Sequence, residues 1–556
     1  MNVLYISGIP APYRVDLFNE MGKSVHLTVV FLAEYQSDRN KLWQSSKALN
    51  FSPVILNKGA LSGSKVDFGV VNYLKKHSAE FDVIVFHGYS YVASILAMIW
   101  MKLHRINYLL EADGAILSKN ESLHKRLIKR FCISNAKYCL SSGRITSDFF
   151  SYYGANKDKC IIYPFTSLNL TDIVNAKKFT KNEKELIKED LGIFEDKYVV
   201  VLGNADLLSN KRSELIVKQN QSSINFGYLC FCKDEPIEEN NKKISYQKIS
   251  SLENIDKAIM YKYFASSDAV VLLTSLENAD ISIYDLLIFG LPVISCEEYL
   301  SQDYIRNGNN GIIVKSIDEV IGSVAELLKN DNKRIELSDH CLKELLVCNN
   351  SVLTERNFST DNNVLVANRQ LHKQLARRQL NINPDKCIVL YVGRMIYGKG
   401  IDVLLNSKRY LPSDINVYLI GGKIDSNSLP SVDCTDDKNI YVFDFMTKEQ
   451  LRLYYQAADV FVLPTRSDVW GLVVNEALNY GLPVVSTKGC IAACEMLPPD
   501  NISQVDDVHQ LANRIMYALD SNNSEWQLYA IRKTLEYSIE RSADIHVSAF
   551  RNAISC

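Results

Sequence analysis

Tyr454-Tyr-Gln-Ala-Ala-Asp459-Val-Phe-Val-Leu-Pro-Thr465, followed by Gly481-Leu-Pro-Val-Val-Ser486, decides the fold because it occurs twice. The other copy reads Tyr263-Phe-Ala-Ser-Ser-Asp268-Ala-Val-Val-Leu-Leu-Thr274, with Gly290-Leu-Pro-Val-Ile-Ser295 behind it. Both pairs of stretches lie 191 residues apart (454 − 263 and 481 − 290), without a gap. Upstream, Tyr198–Gly203 answers to Val389–Gly393 at an offset of 190 (393 − 203). Chance supplies one Gly-Leu-Pro-Val, but not a register held from first strand to last. Residues 185–350 and 376–556 are therefore expected to hold two copies of one α/β domain, joined by a segment over 351–375.

Residues 1–170 alternate in the same manner. Apolar runs at Asn2–Ile6, His26–Leu32, Phe81–Phe86 and Asn107–Leu110 are separated by helical stretches at Pro12–Met21 and Tyr91–Leu103. Short apolar strands between helices predict a parallel sheet covered on both faces, with ligands at the carboxyl ends of its strands. Gly8, His87 and Asp113 all follow such strands, so all three point to one rim. A Lys-rich stretch from Asn175 to Lys188 reads as the separator before the first repeat. Three domains suit 556 residues, which exceed what one core organises.

Composition excludes some classes. With 62 basic and 64 acidic residues, net charge −2, no global field favours nucleic acid. The thirteen cysteines show no paired zinc spacing and read as reduced, buried thiols. The start reads as a strand rather than a charged leader, and the apolar run Val92–Leu103 is short of the roughly 20 residues a bilayer span needs. The expected location is cytoplasmic.

The last copy carries the chemistry. Gly393-Arg394-Met-Ile-Tyr-Gly398-Lys399-Gly400 follows a strand and sets two cations five residues apart, which suits a diphosphate. Alone, a solvated basic loop is the plainer account. Thr465-Arg-Ser-Asp468-Val-Trp-Gly471-Leu472-Val-Val-Asn-Glu476-Ala then opens a helix, leaving amide N–H groups free to meet phosphate oxygens. Asp468 is placed to reach a sugar hydroxyl, and Glu476 to accept a ribose diol. A helix cap and a surface charge explain either acid singly, but less readily both together beside Arg394 and Lys399.

These residues resemble the retaining GT-B glycosyltransferases of family four (glycosyl transferases group 1), of bacterial polysaccharide type. Their Glu-x7-Glu pair is here Asp468-x7-Glu476. The resemblance implies that Arg394 and Lys399 hold the donor diphosphate, Glu476 the ribose and Asp468 the transferred sugar. Ser7-Gly8-Ile-Pro-Ala-Pro-Tyr-Arg14 is similar to the family's amino-terminal loop, which implies a diphosphate contact at Gly8. Tyr163-Pro164 resembles the end of the family's acceptor domain, just before the crossover, and Tyr537-Ser-Ile-Glu-Arg541 its return helix. The architecture implied is one acceptor-type and two tandem donor-type Rossmann-like domains. His87 is either a histidine near the reacting sugar or a packing residue. Glu111-Ala-Asp113 imitates a metal motif but reads better as a polar cleft wall, so no metal or cofactor is expected beyond the nucleotide-sugar.

The middle copy frays. Asn204 stands where the last copy has Arg394, Lys211 falls two positions late, the acids are Glu277 and Asp285, and Asp280-Ile281 replaces Gly471-Leu472. A carboxylate at the phosphate position repels the donor. That copy is expected to have lost its substrate and to act as spacer or oligomer interface. Whether the last copy closes on the acceptor domain of its own chain or of another is left open.

The expected activity is transfer of a sugar to a glycan or lipid-linked acceptor in cell-surface polysaccharide biosynthesis. The helix His124-Lys-Arg-Leu-Ile-Lys-Arg-Phe131 leaves room for docking at the inner face of a membrane. A non-catalytic nucleotide-sugar sensor or scaffold is the alternative. A glycan phosphorylase, which needs pyridoxal phosphate on a lysine, fits Lys399 poorly.

Overall fold

A computed structural model of the chain describes residues 1–35, 47–60, 68–117, 121–194, 196–203, 227–231, 257–273, 283–296, 305–347, 362–422, 437–521 and 524–555. Three parallel sheets organise them. The first contains β1 (Asn2–Ser7), β2 (His26–Phe31), β3 (Ser52–Ile55), β4 (Val83–His87), β5 (Leu109–Ala112), β6 (Tyr138–Ser141) and β7 (Cys160–Ile162), in the order β3-β2-β1-β4-β5-β6-β7. The second contains β8 (Tyr198–Gly203), β9 (Gly227–Phe231), β10 (Ala269–Leu273), β11 (Val293–Cys296) and β12 (Gly311–Val314), ordered β12-β11-β10-β8-β9. The third contains β13 (Ile388–Val392), β14 (Asn416–Ile420), β15 (Ile440–Phe443), β16 (Val460–Leu463), β17 (Val484–Thr487) and β18 (Ile502–Ser503), ordered β15-β14-β13-β16-β17-β18. Central strands such as β10, β13 and β16 are buried at every residue, as unbroken apolar runs in a doubly covered sheet require.

The two repeated stretches fold alike down to single hydrogen bonds. Asp268 accepts the amide of Tyr198 at 3.1 Å, and Asp459 accepts that of Ile388 at 2.6 Å. Ser295 donates to the Leu272 carbonyl at 2.8 Å, and Ser486 to that of Leu463 at 2.7 Å. The five strands of the second sheet are connected as are β13, β14, β16, β17 and β18 of the third.

The first and last units share one continuous core, while most of the middle unit packs into separate clusters. The last unit therefore closes on the first unit of its own chain, which answers the question the sequence left open. The helix Ile539–Ser555 returns across the first unit, where its buried His546 lies 3.3 Å from Glu111. Phe165, in the crossover after β7, meets Trp470 edge-on with ring centroids 5.5 Å apart. Lys177 donates to the Asn479 carbonyl at 2.7 Å.

The Lys-rich stretch read as a separator is structured. Asn169 and Thr180 close capping boxes on the helices Leu170–Lys177 and Lys181–Leu191, and Gly192 ends the second in the left-handed conformation at φ 67°. Of the segment expected to link the repeats, residues 351–361 lie outside the described residues. The remainder belongs to the helix Asn362–Gln379, whose buried Arg369 donates to the carbonyls of Gln456 and Ala458. No helix among the described residues is long and apolar enough to cross a membrane.

Arg14 is the largest fully buried side chain among the described residues. Its guanidinium ion-pairs with Glu111 at 2.7 Å and with Asp113. Removing one partner of such a group strands a buried charge. Arg14→Met is expected to cost about 3–5 kcal/mol in guanidinium unfolding, whereas Lys533→Ala, at a surface pair with Glu536, changes stability by less than about 1 kcal/mol.

Candidate functional site

The carboxyl ends of β1, β4 and β5 face those of β13 and β16. At the meeting point a Cβ on Gly114 would lie 1.8 Å from the Val469 carbonyl oxygen, so only glycine permits this approach. The contact places Asp113 and Gly114 of the first unit beside Asp468 and Val469 of the last. Ile145 extends the seam by donating its amide to Glu495 at 2.9 Å.

On the last unit, Gly393 follows β13 at φ 156° and its carbonyl lies under Gly421, where a Cβ would come within 1.9 Å of it. The following loop is pinned at Gly400, φ 68°, against the Pro464 carbonyl. Arg466 holds the same loop from the other side. It forks onto Asp402 at 2.8 and 2.6 Å, with its guanidinium 3.7 Å from the centre of the Tyr397 ring. Arg394 is exposed, and Lys399 ion-pairs with Asp468. The two side chains assigned to a phosphate and to a sugar thus lie side by side.

Gly471 takes φ 100° as the cap residue of the helix Leu472–Asn479. A Cβ there would meet Cys490 Sγ at 2.6 Å and Asp468 Oδ2 at 3.8 Å. The helix terminus, Asp468 and Lys399 therefore share one place, with Leu472 half-buried as the first residue of the helix. Trp470 fixes the entry by donating to Asn475 at 3.0 Å and packing on Phe165.

Glu476 lies deeper along the same helix. It accepts the Tyr455 hydroxyl at 3.1 Å, and its surroundings include Ser167 and Asp172 from the interdomain crossover. Burial holds its carboxyl above the ordinary range, Asp172 adds to this, and Lys448 opposes it.

On the first unit, Gly8 follows β1 and its carbonyl accepts Ala33 at 3.1 Å. His87 ends β4 with Nε2 3.2 Å from Asp113 and Nδ1 3.5 Å from the Ser7 hydroxyl. Burial, then Arg14 and His546, hold its pKa well below the usual value, so the ring stays neutral at pH 7. Glu111 and Asp113, the pair that imitates a metal motif, are engaged by Arg14. No group of three or more potential metal-ligating side chains occurs among the described residues.

Arg466 and Arg14 lie within the motifs, but the sequence alone assigns neither a role. The signal for Arg466 was its place two residues before Asp468 with Asp402 at the end of the facing loop. For Arg14, nothing local announces partners 97 and 99 positions away. In the middle unit, Asn204, Lys211, Glu277, Asp280 and Ile281 lie outside the described residues, and Asp285 is buried in the short helix Ile283–Leu287.

Residues 372–533 match the family profile described as "Glycosyl transferases group 1", so the chain carries a domain of that GT-B type. The matched region is less than a third of the chain. Among curated proteins, a D-inositol 3-phosphate glycosyltransferase of Xylanimonas cellulosilytica is 29% identical over 119 residues, 20% of this chain and 28% of that one. An "Uncharacterized 41.2 kDa protein in cps region" of Klebsiella pneumoniae is 27% identical over 142 residues, 25% of this chain and 38% of the other. The chain thus spans well under half the length of these relatives. The solved apo form of the lipopolysaccharide outer core galactosyltransferase WaaB aligns over 100% of this chain and 99% of its own at 10% identity, with a TM-score of 0.45, a likeness too slight to carry an argument.

The raised Glu476 pKa has a signed consequence. Between the unfolded and folded pKa values the folded chain holds the extra proton, so this group's contribution to stability falls as pH rises through that window. Glu476→Gln is expected to raise the melting temperature at pH 7 and to leave it unchanged at a pH below both values, as read by differential scanning fluorimetry.

Proposed function

We propose that the chain is a glycosyltransferase that moves a sugar from a nucleoside-diphosphate sugar to a glycan or lipid-linked acceptor. It acts with retention of configuration and without a metal ion, in the biosynthesis of cell-surface polysaccharide. The observation that carries this reading is the meeting of the two carboxyl rims at Gly114 and Val469. It sets His87 and Asp113 opposite Asp468, Lys399 and the amide terminus at Gly471.

In this reading the bond between the anomeric carbon and the diphosphate breaks, and the acceptor oxygen bonds to that carbon as its proton passes to the departing diphosphate. Arg394, Lys399 and the helix terminus take up the charge on the departing phosphate, doing electrostatic work that a divalent ion does elsewhere. Glu476 receives the ribose hydroxyls, and Asp468 orients the sugar. Gly8 and Gly393 let backbone approach the diphosphate. Neutral His87, braced by Asp113, offers a hydrogen bond rather than a charge. The middle unit is a donor-type domain that no longer binds donor.

Release of nucleoside diphosphate from a panel of nucleotide-sugars tests the site. Arg394→Ala or Lys399→Ala is expected to lower turnover about 10²–10³-fold, and Glu476→Ala to raise the donor KM. Unchanged turnover and KM in Glu476→Ala overturn the assignment. Donor binding without release on any acceptor means a nucleotide-sugar sensor instead.

The lipid side of the proposal rests on the helix Leu123–Ser134. Leu123 is 75% exposed and Leu127 65%, amid His124, Lys125, Arg126, Lys129 and Arg130, with no acidic residue in the helix. Leu103, Ile116 and Leu117 are exposed as well, the last two on the segment that follows Asp113. Such a face suits an anionic bilayer. The chain is expected to co-sediment with vesicles containing phosphatidylglycerol but not with pure phosphatidylcholine, and Leu123→Ser with Leu127→Ser is expected to abolish the difference.

A further inference from the structure

The middle unit has a cleft of about 460 Å³ at the amino-terminal edge of its sheet, away from the rim where such folds usually bind ligands. It lies between the helices Lys181–Leu191 and Asp331–Val347, ahead of β8, β10 and β11. Its volume falls in the range of small-molecule sites, about 300–1,000 Å³.

Six cations and four carboxylates line it. Lys178 is paired with Asp339, Lys188 with Glu185 at 3.1 Å, and Lys197 with Asp331 at 2.8 Å. Arg334 bridges Asp331 at 3.0 Å and Asp268 at 3.4 Å. Among the described residues, Lys181 and Lys184 have no carboxylate within ion-pair distance, and Asp196 has no cation within it. Lys184 reaches only the Ser267 carbonyl, at 2.8 Å. Burial depresses the Lys184 pKa, the Asp268 carboxylate opposes this, and Arg334 and Lys188 add to the depression; burial and Lys343 depress that of Lys178. Ammonium groups held in this way, close to other cations, favour the approach of an anion.

The last unit shows that the fold does not require such an arrangement. There Asp459, the counterpart of Asp268, is closed over directly by Lys373 and by Arg377 at 2.7 Å from the preceding helix. In the middle unit the preceding helix supplies Lys184 instead, which bonds the backbone, and Asp268 is paired by Arg334 of the helix Asp331–Val347 at 3.4 Å. Phe289 adds an apolar wall, and Phe179 is fixed by stacking on His372 at 4.0 Å.

We propose that this cleft binds a small molecule bearing a phosphate or diphosphate group, with Lys181 and Lys184 as its principal contacts and Phe289 against its apolar part. The site is independent of the donor chemistry assigned to the last unit. It gives the inserted domain a ligand of its own on the edge opposite the degenerate rim.

Calorimetric titration of the full chain with inorganic pyrophosphate tests this. The Arg394→Ala, Lys399→Ala double variant removes the phosphate contacts of the last unit. Binding is expected to persist in that variant, to weaken with added salt, and to fall about tenfold or more when Lys181→Gln and Lys184→Gln are added. The second change keeps a donor for the Ser267 carbonyl, and an unchanged melting temperature shows that the fold is intact. Glucose 1-phosphate and uridine diphosphate, titrated into the same variant, separate the ligand's source. Tighter binding than pyrophosphate identifies a phosphate ester, and equal or weaker binding identifies the phosphate group alone. Absence of pyrophosphate binding in the Arg394→Ala, Lys399→Ala chain, or binding indifferent to both lysines, overturns the proposal.

Discussion

At Gly114 the backbone of the first unit comes so near the Val469 carbonyl that no side chain fits between them. Most of the remaining architecture serves to hold that approach. Phe165 and Trp470 pack across it, Glu495 meets the first turn of the helix Arg144–Tyr152, and the carboxy-terminal helix crosses the first unit to bring His546 against Glu111. Apolar burial supplies the adhesion, while the buried Arg14–Glu111–Asp113 cluster orders the first unit's side of the contact. The site follows from this closure, since its two halves reside on different sheets and neither half alone faces anything.

The middle unit leaves the closure intact because the chain departs and returns at one place. Arg378, late in the helix Asn362–Gln379, bridges Glu189 and Asp190 at the end of the helix Lys181–Leu191. Arg369 and Arg377 satisfy carbonyls at the end of the helix Lys448–Ala457, which have no partners within that helix. Arg452 ties the Lys178 carbonyl and Glu183 to the last unit at 3.0 and 2.8 Å. An insertion whose two ends are fastened to each other displaces nothing else. The helix that reads in sequence as the end of a linker is therefore the element on which the insertion is mounted.

Much of the fold was legible because the 191-residue offset is a physical constraint repeated, not a composition. Parallel strands need their ends capped in register, and the residues doing so, Asp268 and Asp459 or Ser295 and Ser486, stand at matching positions. The Lys399–Asp468 pairing was half legible: each residue was singled out, but a contact across 69 positions is not. The closure within one chain was illegible, since it depends on how two surfaces fit. So was the engagement of Glu111 by Arg14, where a local spacing imitates a metal motif and a distant cation gives it a different use.

The two copies also separate what a sheet needs from what a reaction needs. Strand-end hydrogen bonds recur because any doubly covered parallel sheet pays heavily for a buried unpaired amide or carbonyl. In sequence the middle copy has Asn204 and Asp280 where the last copy has Arg394 and Gly471, while the described residues of β8 and β10 are as buried as those of β13 and β16. The amino-terminal edge is under as little constraint as the rim. There the last copy closes its Asp459 with two cations from the preceding helix, whereas the middle copy leaves a cleft and two lysines that no carboxylate among the described residues meets within ion-pair distance. One sheet thus tolerates different charge arrangements at its edge, so edge chemistry can change without a change of fold.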